Sequence, residues 1–227
     1  MDIDITRVYN GIYDVHIITN DEYIGPLIAR GREWDGWMRG DIRRCHKPNT
    51  DIIDIGANIG YNTLMFSDYG PVVSFEPVFH EIVSLNVKHN SLRYPVQVIP
   101  CALSDEKSVS EIHIPSRGCQ SETLINYGGT GFNHDKDLRG EGMDVSCERL
   151  DDIYTGIPSI MKIDVEGHEL QVLKGATDTI KKHKPVLLIE IHGFSEDNDV
   201  HRYIKSLGYK DPKVRPDKVY LYEFTKP

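Results

Sequence analysis

Apolar and polar positions fall into blocks along most of this chain, and the period changes from block to block. From Thr50 onward, short apolar runs bounded by turn residues alternate with segments of helical spacing. DIIDIG, PVVSFEP and VQVIPCAL read as strands, with a helix from Tyr61 after the first and another from Phe79 to about Asn90 after the second. These are two successive βαβ crossovers, right-handed by the rule for parallel strands. Ser159 to Val165 and Pro185 to His192 are near-continuous apolar runs, the kind buried on both faces of a parallel sheet. Asp199 to Leu207 follows as a last helix, and Lys218 to Phe224 as a closing strand. The pattern predicts an α/β protein on a doubly wound, mostly parallel sheet.

The ends of that pattern differ from its middle. Ile5 to Tyr9 and Ile12 to Ile18 are β-rich and joined by Asn10-Gly11, a hairpin signal because both residues tolerate positive φ. Asp21 to Arg30 and Trp34 to Cys45 read as two helices broken near Gly31, placed where they could cover a ligand cleft. Glu106 to Thr155 is less regular, and its GCQSETLINYGGTGFNH segment carries four glycines, as an insertion over a cleft would. The expected organisation is residues 1–49 as an N-terminal hairpin and helical lid, and residues 50–227 as the core with an insertion at 106–155. The whole forms a single compact domain.

Charge narrows the partners. A formal net charge of -9 argues against a broad nucleic-acid or anionic-membrane footprint, which needs clustered Lys and Arg. A neutral or cationic small ligand fits better. Cys45, Cys101, Cys119 and Cys147 are scattered without zinc-ligand spacing, so free thiols in a reducing compartment are expected. MDIDITRVYNG lacks the basic start and apolar run of a signal peptide, and no apolar stretch approaches spanning length. A cytoplasmic protein without membrane insertion is expected. A module cut from a longer chain would also open directly on structured residues, as this one does.

The chemistry concentrates at strand ends, where open α/β sheets bind ligands. DIGANIGYN, Asp54 to Asn62, leaves the first strand and opens a helix. Gly56 permits a tight turn, Gly60 permits close backbone approach, and the N–H groups of Ile59 to Tyr61 can hold a carboxylate. Asp54 and Asn58 stand where a dinucleotide loop needs glycine, which weighs against NAD and toward a ligand with an amino-acid tail. S-adenosylmethionine is such a ligand, and Asp54 could counter its ammonium. SFEP ends the second strand and places Glu76 22 positions beyond Asp54, where an acid chelates ribose hydroxyls, with Pro77 stiffening the turn. Ala102 and Leu103 could form an adenine slot, with Ser104 or Asp105 at its edge. IMKIDVEGHELQVLKGA packs Asp164, Glu166, His168 and Glu169 into one strand-to-helix corner, which is costly unless those groups are solvated or used. A glycine-bearing turn, a surface carboxylate and an acidic helix start are the plainer readings of the same residues.

With DIGANIGYNT, SFEP, CALSD, ERLDD and KIDVEGHELQVLKGA in this order, the chain resembles the FkbM-type S-adenosylmethionine-dependent methyltransferases over roughly Trp34 to Glu190. The resemblance implies the class I Rossmann-like sheet of seven strands, the last antiparallel. It also implies O-methylation, often on sugar hydroxyls of glycans or glycosylated metabolites. Carried over by position, Asp54, Gly56, Ala57, Asn58, Gly60 and Tyr61 become the methionine loop. Glu76 and Pro77 become the ribose turn, Ala102 and Leu103 the adenine slot, and Asp164 to His168 the catalytic corner. Trp34-Asp35 takes a place where relatives often carry an aromatic followed by Glu, a methylene longer.

A sugar hydroxyl is weakly acidic, so a general base within hydrogen-bond reach helps it attack an activated methyl group. His168 is the first candidate, with Asp164 and Glu166 to orient it or hold acceptor hydroxyls; His192 is the second. Lys162 could pair with a cleft carboxylate. A metal-assisted variant would place a divalent ion on Asp164 and Glu190, but methylation of a hydroxyl needs none. The insertion offers Tyr127, Phe132 and His134 for stacking on a pyranose or bonding its hydroxyls. Other acceptors on the same fold, including an amino group, and a non-catalytic adenosine-ligand module are the rival readings.

Overall fold

The computed structural model describes residues 3–121, 123–132 and 139–224, the side chains at 139 and 141 excepted. His134 lies outside the described residues. An antiparallel hairpin of β1 (Ile5–Tyr9) and β2 (Asp14–Ile18) leads into α1 (Ile24–Ala29) and α2 (Met38–Cys45). Two crossovers follow, β3 (Asp51–Ile55), α3 (Tyr61–Phe66), β4 (Val72–Phe75), α4 (His80–Lys88) and β5 (Val96–Ile99). Beyond β6 (Ala102–Leu103), β7 (Ser108–Pro115), β8 (Arg139–Glu148) and α5 (Leu150–Ile153) come β9 (Pro158–Ile163), α6 (Glu169–Gly175), α7 (Thr177–His183) and β10 (Val186–Glu190). The chain closes with α8 (Asp199–Ser206), β11 (Lys213–Val214) and β12 (Val219–Tyr222).

The main sheet has seven strands in the order β11-β12-β10-β9-β3-β4-β5. β12 runs antiparallel to both its neighbours, and β10, β9, β3, β4 and β5 are parallel. This is the class I methyltransferase sheet with its reversed strand. Side chains alternate between two cores: Ile52, Val72, Ile160 and Leu188 face one way, and Ile53, Val73, Met161 and Leu187 the other. Burial on both faces is what made these runs read as continuously apolar. Among the described residues no helix is long and apolar enough to cross a membrane.

Three expectations change. Asn10-Gly11 does not form a two-residue turn, because β1 and β2 pair Tyr9 with Asp14 and leave four residues between them. Gly11 takes φ +95° and Asn10 stays out of the left-handed region, its Oδ1 accepting from the N–H groups of Ile12 and Tyr13. The side chain closed the turn that the backbone was expected to close. VQVIPCAL is not one strand: Pro100 and Cys101 break it, and Ala102–Leu103 pairs with β8 in a separate sheet. Residues 106–155 are also more regular than expected, since β7 and β8 form a long antiparallel arm beside β6.

Candidate active site

The parallel strands β3, β4, β9 and β10 end along one edge, and a cavity of about 310 Å³ opens there. Its wall includes Gly56, Ala57, Asn58, Tyr61, Glu76 and Pro77 from the first two strand ends. Ala102, Leu103, Asp164, Glu166, His168 and His192 complete it from later ones. Met38 of α2 closes it together with Trp34 and Asp35, which lie in the loop before α2 and not on the helix expected from Trp34. Phe132 and Asn126 reach it from the arm, and the 3-10 turn Tyr127–Gly129 is tied to the glycine loop by Asn58 Nδ2 donating to the Tyr127 carbonyl at 3.1 Å. The Tyr127 ring itself is not part of the wall; it packs edge-on against Phe79.

The glycine loop works differently from its sequence reading. Gly56 sits at φ +73°, and a Cβ there would meet the Asp164 carbonyl oxygen at 1.8 Å, so only glycine lets β3 and β9 end side by side. Gly60 lies outside the cavity wall; its missing Cβ makes room for Val83 of α4, 2.8 Å from where it would stand. Asn58 adopts φ +53°, which asparagine tolerates, and its Oδ1 accepts the Ile59 N–H at 2.8 Å. The Gly60 N–H donates to the Ala57 carbonyl at 2.8 Å. Two of the three N–H groups expected to hold a carboxylate are therefore engaged within the loop.

Asp54 is also displaced from its expected role. It is fully buried and outside the cavity wall. Register explains why: Asp54 pairs with Lys162 on one side and Ser74 on the other, all on the face toward α3. Thr63 Oγ1 of α3 donates to Asp54 Oδ2 at 2.6 Å, and Lys162 Nζ lies 3.3 Å from Asp54 Oδ1. Lys162 also donates to the Gly56 carbonyl at 2.7 Å and lies 3.4 Å from Asp164. Asp54 thus anchors the lysine that anchors the loop.

Glu76 is held where the sequence placed it. Its Oε2 accepts the Asn58 N–H at 2.8 Å, and its Oε1 accepts the N–H groups of Val78 and Phe79 at 2.8 and 3.0 Å. Burial raises its carboxyl pKa while those three donors oppose the rise. The carboxylate is fixed in the cavity wall and each oxygen keeps acceptor capacity.

The acids gather on the opposite side. Burial, and then the neighbouring Asp164, push Glu190 up to about 10, and it hydrogen-bonds Asp164. Burial, then Asp164 and Glu169, push Glu166 up to about 8. His192 Nε2 lies 3.2 Å from Glu190 and 3.5 Å from Glu166, while Lys218 Nζ approaches its Nδ1 at 3.1 Å. Burial and then Lys218 lower the His192 pKa, so the ring is neutral near pH 7. An ammonium donating to Nδ1 puts the ring proton on Nε2, facing the two glutamates. Glu166 occupies φ +51° and Gly167 φ +92°, the tight corner that turns the glutamate inward after β9.

His168 stands apart from this cluster. Its Nε2 shares a hydrogen bond with Ser104 Oγ at 3.0 Å, and its ring lies against Phe132 with centroids 4.6 Å apart. Burial lowers its pKa, opposed by Asp105. Among the described residues it forms no ion pair with Asp164 or Glu166, so the expected orientation of His168 by those acids is not what the chain builds. The metal alternative shifts too: one ligand atom each from Glu166, Glu190 and His192 lie within 4.8 Å of one another, and Asp164 is not among them. Lys218 and Asp217 went unread because the start of a closing strand carries no local signal of a site.

Raised acids make stability pH-dependent. A carboxyl whose folded pKa exceeds its unfolded value binds more protons when folded, so stability falls as pH rises between the two values. For Glu190 that window runs from about 4.5 to about 10, and for Glu166 from about 4.5 to about 8. The ligand-free protein is expected to lose melting temperature steadily from about pH 5.5 to about pH 8.5. Glu190→Gln should flatten that slope in scanning calorimetry; an unchanged slope would place the titrating load elsewhere.

The match to the methyltransferase FkbM domain model runs over residues 54–210, from the buried Asp54 through the acid cluster to the start of the closing hairpin. The chain belongs to the FkbM methyltransferase family. Within it, the chain is 30% identical over 151 residues to hexuronic acid methyltransferase AglP of Haloferax volcanii, covering 66% of this chain and 59% of that protein. It is 30% identical over 175 residues to 31-O-demethyl-FK506 methyltransferase FkbM of Streptomyces tacrolimicus, covering 64% of this chain and 66% of that one. The chain thus spans under two thirds of the length of either relative. The crystal structure of methyltransferase FkbM from Methylobacillus flagellatus superposes with a TM-score of 0.53 at 21% identity, over 78% of this chain and 44% of that one. That superposition shows the FkbM fold.

Proposed function

We propose that this chain is an S-adenosylmethionine-dependent O-methyltransferase acting on a sugar hydroxyl of a glycan or glycosylated metabolite. The observation that carries the reading is one cavity holding both a fixed carboxylate, Glu76, and an undercompensated acid cluster, Asp164, Glu166 and Glu190. A diol beside the first and a cation beside the second are what such walls bind. S-adenosylmethionine offers both. Glu76 would take its ribose; Ala102, Leu103 and Pro77 would flank its base. Asp164, close to Lys162, together with the Tyr61 and Asn62 edge, would receive the amino-acid end.

When bound, S-adenosylmethionine supplies a methyl group already activated on a sulfonium, so the chain's residues chiefly align the acceptor and manage its proton. Glu166 takes the hydroxyl proton, being the cavity carboxylate whose pKa lies near neutrality. His192 positions it from Nε2, and Lys218 fixes the ring from Nδ1. Protonated Glu190 donates to Asp164 and holds that side chain in place. No Lewis acid is needed for this, so the reading uses no metal. The named activity of the Haloferax relative supports a sugar acceptor. The acids around Glu166 favour a neutral or amino sugar over one bearing a carboxylate, since like charges repel.

Calorimetric titration with S-adenosylhomocysteine tests the donor site. One-site binding that weakens about tenfold in Glu76→Gln, the loss of one charged hydrogen-bonding contact, is the expected result. Equal affinity in both proteins would remove Glu76 from the ribose, and no heat in either would withdraw the donor.

A further inference from the structure

The acceptor cavity does not end at the N-terminal helices. A second, shallower groove of about 680 Å³ runs from it across the outside of the lid, and Trp34, Asp35 and Asp217 belong to the walls of both. The groove continues past Trp37 to Asn10, Gly11 and Arg32. We propose that this groove is a saccharide subsite, which holds the pyranose unit next to the sugar being methylated. The proposal rests on the sugar-acceptor reading above and adds where the rest of a glycan lies.

The chain has two tryptophans, and both line this groove, each partly exposed with the rest of its ring packed against the core. An indole left half-exposed beside polar groups is the surface that pyranose C–H faces stack on, at low entropic cost because the ring is rigid. The rings are also held. Trp37 Nε1 donates to Asp35 Oδ1 at 3.2 Å, and Asp35 Oδ2 accepts from Asn62 at 3.0 Å, inside the cavity wall. Asp35 takes φ +51° to make that bridge, which places Trp34 and Trp37 on either side of it. Gly11, Gly31 and Gly36 leave parts of the groove without side chains, so a flat ring can approach the backbone. Arg32 is exposed and forms no ion pair among the described residues, unlike Glu33, which is committed to Arg39. Its guanidinium is free to bond hydroxyls.

Trp37 lines the groove and not the cavity, whereas Trp34 lines both, so the part of an emission change that disappears in Trp37→Phe reports occupancy of the groove itself. The intact protein is titrated with cellotetraose, mannotetraose and chitotetraose, and with the methyl glycosides of the corresponding monosaccharides. Methyl transfer from labelled S-adenosylmethionine is measured on the same compounds. At least one tetrasaccharide should change indole emission, and its kcat/KM should exceed that of its monosaccharide. Trp37→Ala should lower that ratio about tenfold, the scale of one lost stacking contact, while Trp37→Phe retains most of it. If Trp37 only props Asp35, Phe, which lacks the N–H, fails as badly as Ala, and the subsite is overturned. Emission unmoved by every tetrasaccharide, or one that shifts with protein concentration alone because a second copy fills the groove, also overturns it. Tetrasaccharide binding without any methylation would withdraw the sugar-acceptor reading and leave the groove standing; equal kcat/KM for short and long sugars without an emission change would do the reverse.

Discussion

Glu166→Gln lowers kcat by about 10²–10³-fold, the usual worth of a general base, and leaves S-adenosylhomocysteine affinity within about threefold. The substitution keeps the side-chain shape and the left-handed backbone at 166, so the lost quantity is the proton acceptor. His168→Ala should cost far less, because that ring is engaged by Ser104 and Phe132 and not by the acids. The pH profiles carry the same argument with a definite sign. A base must be ionised, so wild-type kcat/KM should rise with pH through about 8, the Glu166 value in the ligand-free chain. The limb of kcat should fall at lower pH, since a cation bound beside Glu166 stabilises its ionised form. In Glu166→Gln both limbs flatten. Wild-type turnover in Glu166→Gln together with a large loss in His168→Ala would restore the imidazole at 168 as the base.

That proposed exchange of roles between two residues only two positions apart marks the limit of what could be read from the chain. The sheet was legible because burial on both faces writes itself as continuous apolar runs, and DIIDIG, SFEP and IMKID fell where strands end. Strand ends then predicted which residues converge, and Gly56, Glu76, Asp164 and His192 do. Direction within a turn is not encoded so simply. Glu166 and His168 flank Gly167, and the positive φ values at 166 and 167 send one side chain toward β10 and the other toward β6. The burial of Asp54 outside the cavity wall was illegible for a related reason. Its neighbours in space are set by sheet register with Lys162, over a hundred residues away, and nothing local announces that a buried lysine will claim it. Lys218, Trp37 and the four-residue turn after Tyr9 likewise depend on contacts that sequence spacing does not carry.

Lys162→Met destabilises the fold by about 3–5 kcal/mol, the cost of leaving a buried charge without its partner. Methionine matches the lysine stem, so little packing is lost; the damage is electrostatic. Asp54 is 0% exposed and lies on the sheet face where Lys162 Nζ is the neighbouring cation, so without it the carboxylate has the Thr63 hydroxyl as its remaining side-chain donor. The Gly56 carbonyl loses its 2.7 Å donor at the same time, and the loop that carries Ala57 and Asn58 into the cavity loses its tether. Urea denaturation of Lys162→Met, Asp54→Asn and the double variant separates these effects. Removing the orphaned charge should make the double variant more stable than Lys162→Met by at least about 1 kcal/mol, a coupling typical of residues in one ion-pair network. The part of the deficit due to the lysine's own charge should be equal at pH 6 and pH 8, and the remainder should grow as pH rises through about 8, because Lys162 also lowers the pKa of Glu166 and Glu190. Burial opposes the lysine's charge, but Asp54 and Asp164 outweigh it and hold its folded pKa above the unfolded value. A raised lysine contributes fully below its unfolded pKa and loses that contribution only as pH climbs through the folded one, well above neutrality. A cost under about 1 kcal/mol for Lys162→Met would mean that water reaches Asp54, since the penalty for an uncompensated ion exists only while it stays dry.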